Sequence, residues 1–414
     1  MHLYDVRAFE PIASSRLARE GASKGRTISP FQYNAFAGDR AVTYLQGLKA
    51  GDQPGTFLLV GANDSPGPKP LGLSYLGPLD RSKNSAANNS NGSGDWYEIA
   101  VPGSYGAAGT SVYGPDNLGG GLVNYVGAYT RNLGRKTPTP DNPSIVGFAY
   151  TGALDGSTKR GFRKVQGKVV DQDGDKVGGT YTFVHSVDGG LAVGNTDLAD
   201  VDGRTGYFSL KSTAFLVSLA TGKQKRIAFP SDDQDDRDLI THTAYGIWYN
   251  GNGSYTIAGG AGKVLQPGDG VQVGAGYLID YDSVTGTFSN YTQFTYNNRK
   301  RTDLVTHFEG IYRDGRGRYW MPATSVSLND DDDLTQASVV MVKRRRSGGF
   351  RDEARWQTLD VREDGTKTES VLTTGNSLYG NTVVGFANYP KSNGGVRQAG
   401  YVFKGDWLDP GLGL

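Results

Sequence analysis

Cysteine is absent from the 414 residues, and histidine occurs only four times. Without cysteine there is no disulfide framework, no thiolate nucleophile and no thiolate metal site. Charge excess is lacking too, at a formal net +1. Nucleic-acid binding draws on a clear basic surplus, so no nucleic-acid partner is expected. No apolar run is long enough to cross a bilayer as a helix. No phosphate-cradling glycine loop, nucleophile elbow, HExxH or CxxC motif is present. The N-terminus, MHLYDVRAFEP, lacks the features of a signal peptide. The chain is therefore cytosolic or a mature form trimmed after export. Many exported bacterial proteins also lack cysteine, and a secreted or periplasmic location is the expectation.

Glycine (61 residues) and tyrosine (24) are abundant instead. There is no Gly-X-Y period, which excludes collagen. Glycine, tyrosine and threonine spaced between short apolar runs read as many strands joined by tight turns.

The strands repeat. Asp238–His242 and Asp303–His307 are two copies of Asp-Leu-(Ile/Val)-Thr-His, each followed by a glycine, with one residue fewer before the glycine in the second. Weaker copies are Thr110–Gly114, His185–Gly189, Asn376–Gly380 and a degenerate Asn34–Gly38. A second strand carries an apolar pair and a glycine, as in Leu59-Val60-Gly61, Tyr125-Val126-Gly127, Ala192-Val193-Gly194, Ile257-Ala258-Gly259 and Val383-Val384-Gly385. The fifth unit departs from this with Trp320-Met321-Pro322-Ala323. A third strand is aromatic, as in Gly147-Phe148, Gly276-Tyr277 and Gly400-Tyr401, and a more polar fourth follows. The glycines of the second strand suit a sheet whose neighbours pack closely on it. A lone four-stranded sheet cannot bury both faces, whereas stacking such sheets around an axis can. The expected fold is all-β: one six-bladed β-propeller domain over residues 1–414, of four-stranded antiparallel blades. Little chain remains after the last third strand. The alternating segment His2–Phe9 is expected to close the final blade and remove its open edge.

Three of the four histidines, His185, His242 and His307, fall in the first strand of consecutive units. In a propeller that strand lines the axial channel, so equivalent positions converge. One reading is a divalent metal ion on the axis held by these imidazoles. Another is acid–base catalysis by His242, His307 or His185 with Tyr245 and Glu309 on a polar ligand, such as proton abstraction beside a carboxylate during elimination from a uronic acid. A third is that the imidazoles only hydrogen-bond water and backbone. The tyrosines of the Tyr-Gly pairs, Tyr113, Tyr245 and Tyr379, either pack between blades or present phenols to a flat ligand such as a sugar. Asp188 and Glu309 stand where tyrosine is expected, and a packing position seldom tolerates a carboxylate. Tyr113, Asp188, Tyr379, Asn376 and Trp248 make up the expected ligand-binding set. Asp171–Asp175 reads as a hairpin turn, Asp330–Asp333 as a solvated loop, and Lys343–Arg346 as an exposed basic run.

The run from Thr241 to Asn250 (THTAYGIWYN), with Tyr255–Gly260, Gly276–Asp282, Thr306–Ile311 and Asn376–Asn381, resembles a group of single-domain β-propellers of bacteria and fungi. Propellers of that broader class include polysaccharide lyases acting through histidine and tyrosine, and fungal enzymes that cyclise terpenoid intermediates. The resemblance is one of fold and does not decide function; the expected function, read from His185, His242 and His307, is binding of a small organic or glycan ligand at the channel mouth, with lyase-type chemistry. The alternatives are a non-catalytic ligand- or protein-binding scaffold and a cyclase with a preorganising pocket.

Overall fold

The computed structural model describes residues 25–28, 42–64, 70–79, 95–134, 136, 138–170, 176–197, 212–227, 239–264, 272–298, 304–327, 335–362, 370–392 and 394–407. The chain is all-β; among the described residues the helices are single 3-10 turns at Gly103–Tyr105, Lys159–Gly161 and Tyr296–Asn298.

The strands form successive antiparallel meanders. After β1 (Gly25–Ile28), the first meander is β2 (Val42–Ala50), β3 (Phe57–Asp64), β4 (Leu71–Gly77) and β5 (Asp95–Ile99). The second is β6 (Ala107–Gly119), β7 (Leu122–Arg131), β8 (Ile145–Ala153) and β9 (Phe162–Val165). A separate hairpin follows, β10 (Lys168–Val170) with β11 (Lys176–Gly178). Its connection, Asp171–Asp175, lies outside the described residues. The third meander is β12 (Tyr181–Asp188), β13 (Leu191–Asp197), β14 (Thr213–Ser218) and β15 (Gln224–Arg226). The fourth is β16 (Leu239–Gly251), β17 (Ser254–Val264), β18 (Gln272–Asp282) and β19 (Thr287–Phe294). In the fifth, β20 (Leu304–Phe308) and β21 (Tyr312–Arg313) share the edge of β22 (Tyr319–Ser327), followed by β23 (Thr335–Val342) and β24 (Arg355–Thr358). In the sixth, β25 (Leu372–Thr373) and β26 (Ser377–Tyr379) share the edge of β27 (Thr382–Pro390), followed by β28 (Val396–Gly405).

The outer strand of the sixth meander comes from the other end of the chain. β1 pairs antiparallel with β28, from Gly25 opposite Gly405 to Ile28 opposite Val402. The closing strand is thus Gly25–Ile28 and not the expected His2–Phe9, which lies outside the described residues. Alternation alone cannot choose between two short N-terminal segments; register against β28 does. Similarly, the inner strand of the first meander is Val42–Ala50, while the expected copy Asn34–Gly38 lies outside the described residues.

One irregularity recurs in every inner strand. The register shifts by one residue at Gln46 in β2, Tyr113 in β6, His185 in β12 and Tyr245 in β16. The same shift falls between β20 and β21, with Glu309 as the extra residue, since Phe308 pairs with Ala323 and Tyr312 with Trp320. It falls again between β25 and β26, with Asn376 as the extra residue, since Thr373 pairs with Ala387 and Ser377 with Val384. A β-bulge leaves its extra residue unpaired and bends the strand.

The bulge explains the glycine of the second strand. A Cβ on Gly259 would collide with the Thr243 carbonyl and lie 2.9 Å from the Tyr277 ring. Gly61, Gly127, Gly194 and Gly385 meet the carbonyls of Tyr44, Ser111, Phe183 and Thr374 in the same way. The obstruction is the inner strand of the same meander, not a neighbouring sheet. Tyr277 and Tyr401 use these carbonyls, donating to Thr243 O at 2.9 Å and to Thr374 O at 2.7 Å. A buried phenol needs such a partner.

Directly after each bulge stands a small residue: Gly47, Gly114, Ser186, Gly246, Gly310 and Ser377. There each inner strand meets the next. A Cβ on Gly47 would strike the Tyr113 carbonyl, one on Gly114 would lie 2.7 Å from His185 O, and one on Gly246 would lie 2.7 Å from the Gly310 carbonyl carbon. Gly310 faces Asn376 and Ser377. Where serine replaces glycine, it accepts a backbone N–H from the next strand: Ile247 N to Ser186 Oγ at 3.4 Å, and Leu48 N to Ser377 Oγ at 3.1 Å. The last contact joins the sixth meander to the first. The apolar core lies between consecutive meanders, as in the cluster of Val193, Ala214, Ala244, Ile257 and Tyr277 between the third and fourth.

Replacing Gly246 with alanine should destabilise the protein by about 1–3 kcal/mol, the cost of overpacking a tight contact. Gly315→Ala, where the new methyl meets nothing, should be close to neutral. Urea denaturation of the two variants checks the contrast.

Candidate active site

The bulge residues Gln46, Tyr113, His185, Tyr245, Glu309 and Asn376 occupy equivalent positions in their strands, and Tyr113, His185 and Tyr245 contact one another in turn. The ring of Tyr113 stacks 5.4 Å from that of His185, which meets Tyr245 edge-on at 4.5 Å. Tyr245 in turn stacks 5.7 Å from His307. Asn376 Nδ2 donates to Leu45 O of the first meander at 2.7 Å. Its Oδ1 is buried without a hydrogen-bond partner.

His185 is held from behind. Asn195 Nδ2 donates to Ser212 Oγ at 3.3 Å, so its Oδ1 accepts from His185 Nε2, at 2.6 Å. That hydrogen bond places the imidazole proton on Nε2 and makes Nδ1 the basic nitrogen. Burial favours the neutral forms of Tyr113, His307 and Glu309. Burial pushes the Tyr113 phenol up to about 12. Burial lowers the His307 imidazole to about 4 and raises the Glu309 carboxyl to about 7. His307 and Glu309 keep some exposed surface, but strands enclose them, and desolvation disfavours each charged form.

The three histidines do not converge. His242 and His307 end identical Asp-Leu-(Ile/Val)-Thr-His copies, but His242 lies three residues before its bulge and His307 two. An offset of one residue turns a side chain to the opposite face. His307 covers Gly260 of the fourth meander and reaches Tyr245. His242 packs 5.2 Å from the Tyr277 ring, in the layer between the third and fourth meanders, where the equivalent residues are Thr43, Thr110, Thr182, Thr306 and Thr373. Among the described residues, no group of three or more His, Cys, Asp or Glu side chains could hold a metal ion. The expected metal centre of His185, His242 and His307 is therefore not formed.

Tyr379, Asp188 and Trp248 belong to a second ring, three residues beyond the bulge and about 10 Å further along the strand. Its members are Lys49, Asp116, Asp188, Trp248, Tyr312 and Tyr379. Tyr379 is thus equivalent to Asp188, and Glu309 to Tyr113 and Tyr245. The shared "residue-then-glycine" pattern had merged two kinds of glycine. Gly114, Gly246 and Gly310 follow the bulge, while Gly189 and Gly380 are hairpin-turn residues with φ of 56° and 60°. Trp248 meets Tyr312 edge-on at 5.4 Å, and Tyr312 meets Tyr379 at 4.9 Å. Gln46, Lys49, Asp116, Asn195 and Tyr312 escaped the sequence reading. Aligning on the small residue followed by an apolar one (Gly47-Leu48, Gly114-Pro115, Ser186-Val187, Gly246-Ile247, Gly310-Ile311, Ser377-Leu378) brings out all but Asn195.

Arg344 is not simply exposed. Its guanidinium binds both Asp280 oxygens, at 2.6 and 2.8 Å, and contacts the Tyr319 hydroxyl. Asp330–Asp333 lies outside the described residues. Among the described residues, no helix is long and apolar enough to cross a membrane.

No family model and no curated protein matches the chain. Similar solved structures include a mutant of Trypanosoma rangeli sialidase displaying trans-sialidase activity, at 12% identity and a TM-score of 0.45, covering 96% of this chain and 58% of that one. A luciferin-regenerating enzyme is 11% identical with a TM-score of 0.40, covering 92% of this chain and 96% of that one. A polysaccharide lyase described as an ulvan lyase is 10% identical with a TM-score of 0.38, covering 90% and 84%.

Two opposed pH effects should be separable. Glu309 has a folded value of about 7 against an ordinary 4.5, so the folded state holds its proton longer and stability falls as pH rises across that window. His307 has a folded value of about 4 against 6.5, so stability falls as pH drops from 6.5 towards 4. E309Q should leave a stability that only rises with pH from 4 to 6.5, and H307Q one that falls from 4.5 to 7, relative to the same curve without either group. Chemical denaturation across pH on E309Q, H307Q and the double variant reads both signs.

Proposed function

We propose that the meanders form a six-bladed β-propeller in one domain, whose axial channel binds a small organic ligand, a carboxylate-bearing carbohydrate, and acts on it by lyase-type acid–base chemistry. The observation that carries this reading is the run of contacts Tyr113, His185, Tyr245 and His307, donated by four consecutive meanders, with Glu309 and Asn376 at equivalent positions. An elimination needs a base to take the proton beside the carboxylate and an acid to protonate the departing oxygen as the carbon–oxygen bond breaks and the double bond forms.

His185 suits the base. Asn195 fixes its tautomer and orients Nδ1 for the proton. Tyr245 lies between His185 and His307 and suits the acid. The proton that His185 takes from the ligand returns to the Tyr245 phenolate after the product leaves, the two rings being 4.5 Å apart, while His307, neutral near pH 7, packs on the other side of the phenol. Glu309, protonated over much of the range below pH 7, can donate to the ligand carboxylate where a charged residue would repel it. Asn376 Oδ1 offers a buried acceptor for a ligand hydroxyl. His242, packed on Tyr277, has no part in this scheme.

The test is turnover of a panel of uronate-containing oligosaccharides, followed by the ultraviolet absorbance of the unsaturated product. H185A and Y245F should each lower kcat by about 10²–10⁴-fold, and H242A by much less at equal stability. Retention of full activity by H185A and Y245F would overturn the proposed roles. Ligand binding without product formation would instead make the channel a non-catalytic binding site.

A further inference from the structure

The second ring contains a contact that neighbouring meanders cannot explain. Lys49 belongs to the first meander, Asp188 to the third and Trp248 to the fourth. Lys49 Nζ lies 3.2 Å from Asp188 Oδ2 and 4.9 Å from the centre of the Trp248 ring. Each inner strand meets only the next in the chain of small-residue contacts that runs from Gly47 to Ser377 and back to Leu48. The first and fourth strands therefore stand on opposite sides of the channel, and a lysine that reaches the fourth must cross it.

We propose that Lys49 is an internal plug: its ammonium fills an ammonium site made by Asp188, Asp116 and Trp248 and seals the channel at the mouth beside the inner-strand hairpin turns. The site is built for a cation. Asp188 is fixed by the Tyr249 N–H at 3.0 Å as well as by Lys49. Lys49 and Asp188 side chains are only 15% and 17% exposed. Burial raises the Asp116 carboxyl above the usual range; Lys49 opposes that rise and Asp188 adds to it, so the ammonium is what most favours a carboxylate there, and Asp116 accepts from Asn124 Nδ2 at 3.4 Å. The indole face adds the attraction of its π electrons for an ammonium. Tyr312 and Tyr379 continue the aromatic wall beyond Trp248. A channel closed there is blind, so a ligand of the first ring arrives and leaves through the opposite mouth, end first, and no polymer threads the axis.

The proposal is independent of any catalysis at the first ring, and its test needs no substrate. Truncation to alanine in K49A removes the ammonium and its stem and leaves a cavity lined by carboxylates and indole. K49M keeps most of the stem and loses the charge. Thermal melts are recorded for wild type, K49A and K49M with increasing butylammonium chloride, against sodium chloride of equal ionic strength. Both variants should melt below wild type. Butylammonium should raise the melting temperature of K49A in a saturable manner, as mass action requires for a ligand of the folded state. Wild type and K49M, whose sites are filled, should show no specific rise. Absence of amine-specific rescue in K49A, or equal rescue in all three proteins, would overturn the plug. If K49A does not fold, K49S with the same amine serves, and its failure to respond would count equally against the proposal.

Discussion

The structure depends on how closely six inner strands can approach one another at the residue after each bulge. At Gly47, Gly114 and Gly246 a backbone passes where a methyl group would collide with the neighbouring strand, and at Gly310 the neighbouring strand lies at van der Waals distance. At the other two, serine fits and accepts a hydrogen bond from the adjacent backbone. The bulge is what makes the approach possible, because the unpaired residue lets the strand bend. Its second effect is internal to each meander. It turns a carbonyl towards the second strand, which carries glycine there in five meanders, as at Gly259 and Gly385, and alanine (Ala323) in the fifth meander.

The same constraint concentrates polar side chains. The bulge positions of consecutive meanders bring Tyr113, His185 and Tyr245 into contact. Tyrosine, histidine, glutamate and amide side chains occupy these positions, whereas the positions just before them hold Leu45, Val112, Val184, Ala244, Phe308 and Gly375. Burial favours the neutral forms of Glu309 and of His307 beside it, and displaces them in opposite directions. Three residues on, Lys49 of the first meander pairs with Asp188 of the third at 3.2 Å. Each inner strand thus carries a polar side chain at its bulge and a charged or aromatic one three residues on.

The meander repeat was legible because its glycines and aromatics answer to local packing that recurs. The glycine of the second strand and the aromatic opposite it appear at Gly127 with Phe148, Gly194 with Phe215 and Gly259 with Tyr277. The register of the inner strand was harder to read. A bulge breaks the two-residue alternation on which facing is judged, and the two Thr-His copies sit at different distances from it. The sequence match therefore pointed His242 and His307 in one direction when they face opposite ways. Hairpin glycines such as Gly380 imitated the bulge glycines and shifted Tyr379 into the wrong ring. Contacts between non-consecutive meanders, such as Lys49 with Trp248, leave no periodic trace at all. The closing strand escaped for a related reason: Gly25–Ile28 has no internal pattern stronger than that of His2–Phe9, and only pairing with Val402 to Gly405 selects it.

The claim beneath all of this is that the first and sixth meanders are neighbours. The cysteine-free chain allows clean spin labelling at Asp52 and Asn381, in exposed turns of the first and sixth meanders, and at Val284, in the fourth. Pulsed electron spin resonance should give a shorter distance for the Asp52–Asn381 pair than for Asp52–Val284. If the Asp52–Asn381 distance were the longer of the two, the strands would form an open array, and neither ring of converging side chains would exist.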